Sequence, residues 1–222
     1  MSTRPTDAKW RERFQFFWAF LCRPATVGAI APSSRALARQ MIDGFDLAAA
    51  RTIVELGPGM GPFTEAILER LGPATTFLAL ELETAAVARL RQRFPQVTVY
   101  QDSAENLAGY LARCPSPQAD YIVSGLPWAS LPVAMQDRIL QSILAGLAPG
   151  GRFTTFAYAH ACWLPRARRF RRRLEAGFHT VTLSPLVWGN LPPAFVYCCA
   201  GPRAPLPTDG FSRVSLPKNR SA

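Results

Sequence analysis

Three acids and three glycines carry the clearest chemical signal in this 222-residue chain. Glu55 follows the β-branched run Thr52-Ile53-Val54 and precedes Gly57, Gly59 and Gly61, after which residues 63–71 take a helical pattern. Glycine at a strand-to-helix turn removes the Cβ that would hold a ligand away from the backbone. The dinucleotide fingerprint G-x-G-x-x-G would place a further glycine at 62, where Pro62 stands. An acid just before the glycines suits a ligand with an ammonium group better than a pyrophosphate. Glu81 closes a second strand-like run at 76–80, at the spacing where a carboxylate accepts both ribose hydroxyls. Asp102-Ser103 close a third run at 97–101. Three acids at three successive strand ends make a stronger signal than any one of them. Glu83 reads as a first-turn helix carboxylate that complements the helix dipole.

The elements that must hold these residues follow an α/β pattern. After the third strand come a helix at 104–112, a Pro-rich loop and a fourth strand at 121–123 that runs into Ser-Gly-Leu-Pro-Trp. A helix at 132–147 stops at Ala148-Pro149-Gly150-Gly151. A fifth strand is expected at 153–158, then two at 180–188 and 194–199 joined by Gly-Asn-Leu-Pro-Pro, a connection short enough for an antiparallel pair. The predicted fold is a Rossmann-like seven-stranded sheet, mostly parallel with an antiparallel closing strand. The expected organisation is a helical membrane-contact or lid segment over 1–45, a catalytic domain over 46–200 and a mobile tail over 201–222.

Composition narrows the class. A hydrophobic share of 49% is ample for one core, and no apolar run approaches the length needed to span a bilayer. Five cysteines without a C-x-x-C pair argue against a zinc site, and the adjacent Cys198 and Cys199 read as buried thiols. These features, with no secretory cleavage site apparent, predict a reducing cytoplasmic setting. The net charge of +10 is concentrated in two places. Residues 1–40 hold seven Arg or Lys against Asp7 and Glu12, and residues 152–178 hold seven Arg against Glu175.

Both basic segments carry apolar stripes. Trp10, Phe14, Phe17, Trp18 and Leu21 recur at helical spacing opposite Lys9, Arg11 and Arg13. In the second segment Ala167, Phe170 and Leu174 form a narrow stripe amid the Arg166 to Arg173 run. Basic helices with aromatics on one face have the composition of segments lying in a membrane interface, so the expected partner is an anionic membrane surface on the inner face of the cell membrane. The rival readings are a helix packed over the sheet and an arginine run that contacts RNA.

Further stretches make the reading more specific. Val-Gly-Ala-Ile-Ala-Pro-Ser-Ser-Arg-Ala-Leu-Ala (27–38) precedes Glu-Leu-Gly-Pro-Gly-Met-Gly, and Ser-Gly-Leu-Pro-Trp (124–128), Phe-Ala-Tyr (156–158) and Asn-Leu-Pro-Pro-Ala (190–194) follow. Over residues 10–200 the chain resembles the bacterial phospholipid N-methyltransferases, a family similar to the ribosomal RNA adenine dimethyltransferases. The resemblance implies S-adenosyl-L-methionine as cofactor and a lipid amine as substrate, that of phosphatidylethanolamine or an ornithine lipid, methylated up to three times. It implies cofactor contacts from Glu55, Gly57, Gly59, Gly61, Glu81, Asp102, Ser103 and Ser124, with Asp102 at the adenine amino group, and no metal. Nucleic acid is not the expected partner, because the RNA enzymes carry Asn-Leu-Pro-Tyr where this chain has Gly125-Leu126-Pro127-Trp128. Trp128 replaces an expected aliphatic residue, and the oligomeric state is unknown. For catalysis, His160 is the expected proton acceptor, with His179 structural. Tyr158 and Trp128 are expected to face the methylated ammonium, and Asn190 to lie near the acceptor amine. The alternatives are an RNA adenine N6-dimethyltransferase and a membrane-bound module without catalysis.

Overall fold

The computed structural model describes residues 33–203, so the aromatic stripe of residues 10–21 and the chain beyond 203 lie outside the described residues. Seven strands form one sheet: β1 (Thr52–Leu56), β2 (Thr76–Glu81), β3 (Thr98–Gln101), β4 (Ala119–Ser124), β5 (Leu147–Tyr158), β6 (Phe178–Leu183) and β7 (Ala194–Pro202). Their spatial order is β3-β2-β1-β4-β5-β7-β6, with β1 to β5 parallel and β7 antiparallel to both neighbours. The helices are α1 (Arg35–Met41), α2 (Pro62–Leu68), α3 (Thr84–Arg93), α4 (Leu107–Leu111), α5 (Val133–Gly146) and α6 (Pro165–Gly177).

Both faces of the central strands are covered, which explains why β1 and β2 read as unbroken apolar runs rather than alternating ones. Successive residues feed opposite cores. Val54, Leu56, Leu78 and Ile122 meet Leu107, Ile139, Ile143, Phe170 and Leu174 on one face. Ile53, Phe77, Ala79 and Val123 meet Leu37, Met41, Phe63, Ile67 and Leu90 on the other. The adjacent Cys198 and Cys199 divide in the same way between the two cores. Pro62 is the first residue of α2, where its fixed φ suits the helix and its missing N–H costs nothing. α1 belongs to this body as well: Leu37 and Met41 are wholly buried, and Ser34 caps the helix by accepting from the Leu37 N–H at 3.1 Å.

Three of the boundaries that differ from the sequence reading reshape the sheet. β6 ends at Leu183 rather than continuing to Trp188, because Pro185 has no N–H for the ladder; Ser184 closes the pairing by exchanging bonds with Val196. β5 begins at Leu147, with a register shift against β4 between Ala119 and Tyr121 at the Pro-Gly-Gly stretch. β7 extends through Gly201 and Pro202, so these two residues belong to the sheet and not to a tail.

Candidate active site

The acids and glycines meet at the carboxyl ends of β1 to β4. Gly57, Gly59 and Gly61 all have positive φ, a conformation that costs other residues energy. Close packing adds to the demand: a Cβ on Gly57 would lie 2.7 Å from Leu126 Cδ2, and one on Gly61 2.5 Å from Phe94. Arg93 braces the turn, donating to the Met60 carbonyl at 3.1 Å and to Glu65 at 2.8 Å.

Glu55 is fully buried beneath this loop. Its Oε2 accepts from the Thr64 hydroxyl at 2.7 Å, while Oε1 has no hydrogen-bond partner. Burial pushes its carboxyl up to about 8, with the Thr64 bond opposing and nearby Glu81 adding a smaller push. An orphaned buried carboxylate oxygen is a costly feature that an ammonium group would satisfy. Glu81 is also buried and its carboxyl is raised by burial, against three backbone bonds that favour the charged form: Leu82 and Glu83 donate to Oε1 at 2.7 and 2.9 Å, and Gly59 to Oε2 at 3.1 Å. Asp102 is different. Burial acts to raise it, but bonds from Tyr110, Asn106 and the Ser103 N–H prevail and hold it below the usual range. Ser103 caps the following turn through its hydroxyl.

These residues line a pocket of about 380 Å³, open mouth included, in which Gly57, Glu81, Asp102 and Ser103 face Leu126 and Ile139. Polar groups at one end and aliphatic side chains at the other suit a nucleoside. Leu126 also lines a second, larger cleft of about 600 Å³, mouth included, walled by Trp128, Phe156, Tyr158, Phe170 and Tyr197. The two spaces therefore share one wall, and the second is almost wholly apolar.

The other expected site residues fall in varied places. Tyr158 lines the cleft, and burial raises its phenol so that it stays neutral. Trp128 forms part of the cleft wall, stacked on Phe170 at 4.6 Å, and its indole N–H donates to Ser124 Oγ at 3.2 Å. Ser124 is thus committed inside the protein, since its hydroxyl also accepts from the Leu126 N–H at 3.4 Å. His160 is exposed on the turn after β5, its ring 5.8 Å from that of Tyr158. His179 is exposed in β6, on the far edge of the sheet. Asn190 is buried and acts as a strut: Oδ1 accepts from the Ser34 N–H at 2.9 Å and Nδ2 donates to the Pro192 carbonyl at 2.8 Å. Both ends of its amide are engaged within the protein, which removes the reason for placing it at an acceptor amine. Of the arginine run, Arg173 turns inward and pairs with Asp137 at 2.8 Å, while Arg166, Arg168, Arg169, Arg171 and Arg172 are exposed.

Sequence reasoning missed the support beneath the second cleft. Gln136 is buried in α5 and donates to the carbonyls of Trp128 at 2.6 Å and Leu131 at 3.0 Å, while accepting from Arg173 at 3.1 Å. Its position on the otherwise apolar stripe of Ile139, Leu140 and Ile143 was the available signal. Gly125 stands where the RNA enzymes carry Asn. The structure adds that a Cβ there would sit 2.6 Å from the Gly57 carbonyl.

Comparisons with known proteins agree with this geometry. Residues 53–151 match a methyltransferase domain family. An ornithine lipid N-methyltransferase from Singulisphaera acidiphila is 33% identical over 194 residues, covering 86% of this chain and 97% of that protein. A ribosomal RNA small subunit methyltransferase A from Acidobacterium capsulatum is 33% identical over 114 residues, covering 50% of this chain but 37% of that protein. Among solved structures, an O-methyltransferase from Bacillus cereus in complex with SAH superposes with a TM-score of 0.59 at 15% identity, over 86% of this chain and 90% of that one.

Proposed function

The chain belongs to the class I S-adenosylmethionine-dependent methyltransferases, in the family of the ornithine lipid N-methyltransferase it matches, and from that premise we propose that it methylates the amine headgroup of a membrane lipid. The acceptor is an ornithine-type aminolipid or phosphatidylethanolamine, taken up to the trimethylated stage. The observation that carries this reading is the apolar cleft that shares Leu126 with the nucleoside pocket. An amine on an apolar body fits such a cleft beside the cofactor; a nucleic-acid strand finds no charged lining there.

The bound cofactor supplies an activated methyl on a sulfonium. Glu55, with its unpartnered Oε1, would hold its ammonium, Glu81 its ribose hydroxyls, and Asp102 and Ser103 its adenine. The protein's remaining task is to hold a neutral amine in line with the methyl. A lipid ammonium must first lose a proton, and His160 at the cleft edge is the proposed acceptor; unchanged turnover in His160→Ala would remove it from that role. The rings of Tyr158 and Trp128 stabilise the methylated ammonium, an effect of about 0.5–2 kcal/mol each. Arg166 holds the lipid phosphate or carboxylate. The aromatic stripe of residues 10–21 and the exposed arginines keep the enzyme on the inner face of the cytoplasmic membrane.

RNA adenine methylation is the reading to exclude, given the partial match to the ribosomal RNA enzyme. The amide expected at the fourth strand end of those enzymes has no room here, because Gly125 packs on the Gly57 carbonyl. Purified protein incubated with labelled S-adenosylmethionine, anionic vesicles bearing each aminolipid and, separately, ribosomal RNA decides the matter. Label is expected in one lipid class; label in RNA alone would overturn the proposal.

A further inference from the structure

The described residues include an apolar surface that neither the nucleoside pocket nor the cleft uses. Trp163 and Trp188 are 73% and 75% exposed, and Leu164 and Leu191 52% and 64%. Side chains of this size left so open mark a surface that meets something. All four lie on the two connections that converge on the Tyr158–Ala161 edge of the cleft. Trp163 and Leu164 follow Ala161, which lines the cleft, and the Leu164 N–H donates to the Ala161 carbonyl at 3.1 Å. Trp188 follows Val187, which bridges Ala194 opposite Tyr158. Leu191 lies two residues before Pro193, whose carbonyl accepts from the Ala159 N–H at 2.9 Å.

We infer that Trp163, Leu164, Trp188 and Leu191 form an apolar collar that inserts into an anionic bilayer, so that the acceptor amine reaches the cleft without leaving the leaflet. The inference rests on the lipid-amine reading above. Charge selects a membrane as the occupant. Leu164 is the N-cap of α6, and the five exposed arginines follow at once on that helix. Tryptophan beside arginine matches the boundary layer of a bilayer, with rings at the headgroup level and cations among lipid phosphates. The cleft continues the apolar path inward through Ala161, Ala167 and Phe170.

The test uses the full chain carrying Trp163→Ser, Leu164→Ser and Trp188→Ser together. These are exposed positions, and serine is a favoured residue at the helix cap. Partition onto phosphatidylglycerol vesicles is expected to fall about tenfold or more, and the methylation rate on vesicle-borne aminolipid to fall with it. Turnover of a short-chain aminolipid, monomeric in solution, is expected to stay within about twofold. Unchanged partition overturns the collar, and so does an equal loss on the short-chain lipid, which would place these residues inside the site. Oxidative footprinting of the lipid-free full chain is expected to label Trp163 and Trp188; their protection would mean that the chain's own residues cover the collar, and would overturn it too. Partition is read without turnover, so the collar is decided even where no lipid is methylated.

Discussion

Glu55 shows how much chemistry a single side chain holds here. With its carboxyl raised from about 4.5 to about 8, the folded protein keeps a proton that the unfolded chain gives up. That difference stabilises the fold below about pH 4.5, declines as pH rises and is gone above about pH 8. The cofactor-free protein is therefore expected to melt at progressively lower temperature between pH 5 and 8, and Glu55→Gln to flatten that slope. Binding has the opposite sign. An ammonium favours the ionised acid, so cofactor affinity is expected to rise with pH on the acid side of about 8, with a proton released per molecule bound. Calorimetry in buffers of different ionisation enthalpy checks both, and the Gln variant should bind at least tenfold more weakly with no proton release. The acid and its glycines were visible in the sequence because strand, acid and turn are neighbours there. The orphaned Oε1 was not, since it results from the Thr64 hydroxyl taking Oε2.

At the scale of elements, the loop between β4 and α5 forms the wall common to both pockets, and two grips hold it. Phe170 of α6 stacks on Trp128, and Arg173 of the same helix steadies Gln136 against the Trp128 and Leu131 carbonyls. Gln136→Leu removes the donor from two carbonyls in a buried setting, a loss of about 1–3 kcal/mol. Urea unfolding should report that destabilisation, and the acceptor KM should rise more than the cofactor dissociation constant, because the Trp128 side of the loop faces the cleft. Strands β1 to β3 were legible in outline from β-branched runs ending in acids. The turned-in Arg173 was not: it lies among five exposed arginines and finds Gln136 only across 37 positions of chain. The end of β6 escaped for a local reason, Pro185, whose effect on the ladder outweighs the β-propensity of the residues that follow it.

For the whole molecule, the separation of charge from chemistry is the main design. The exposed arginines of α6 lie outside the linings of both pockets, which are acidic or apolar. Deleting residues 1–22 is expected to weaken binding to anionic vesicles by tenfold or more at low salt while far-ultraviolet dichroism and cofactor affinity stay near those of the full chain. Vesicle co-sedimentation checks this, and full retention of binding would assign the stripe to packing.

The bond from the Ser34 N–H to Asn190 Oδ1 joins positions 156 residues apart, and Met41 of the same helix accepts from Thr154 through its carbonyl. During synthesis, then, the first described helix emerges long before its final partner exists. Every residue that lines the nucleoside pocket, from Gly57 to Ile139, leaves the ribosome before the β6–β7 connection that completes the cleft edge.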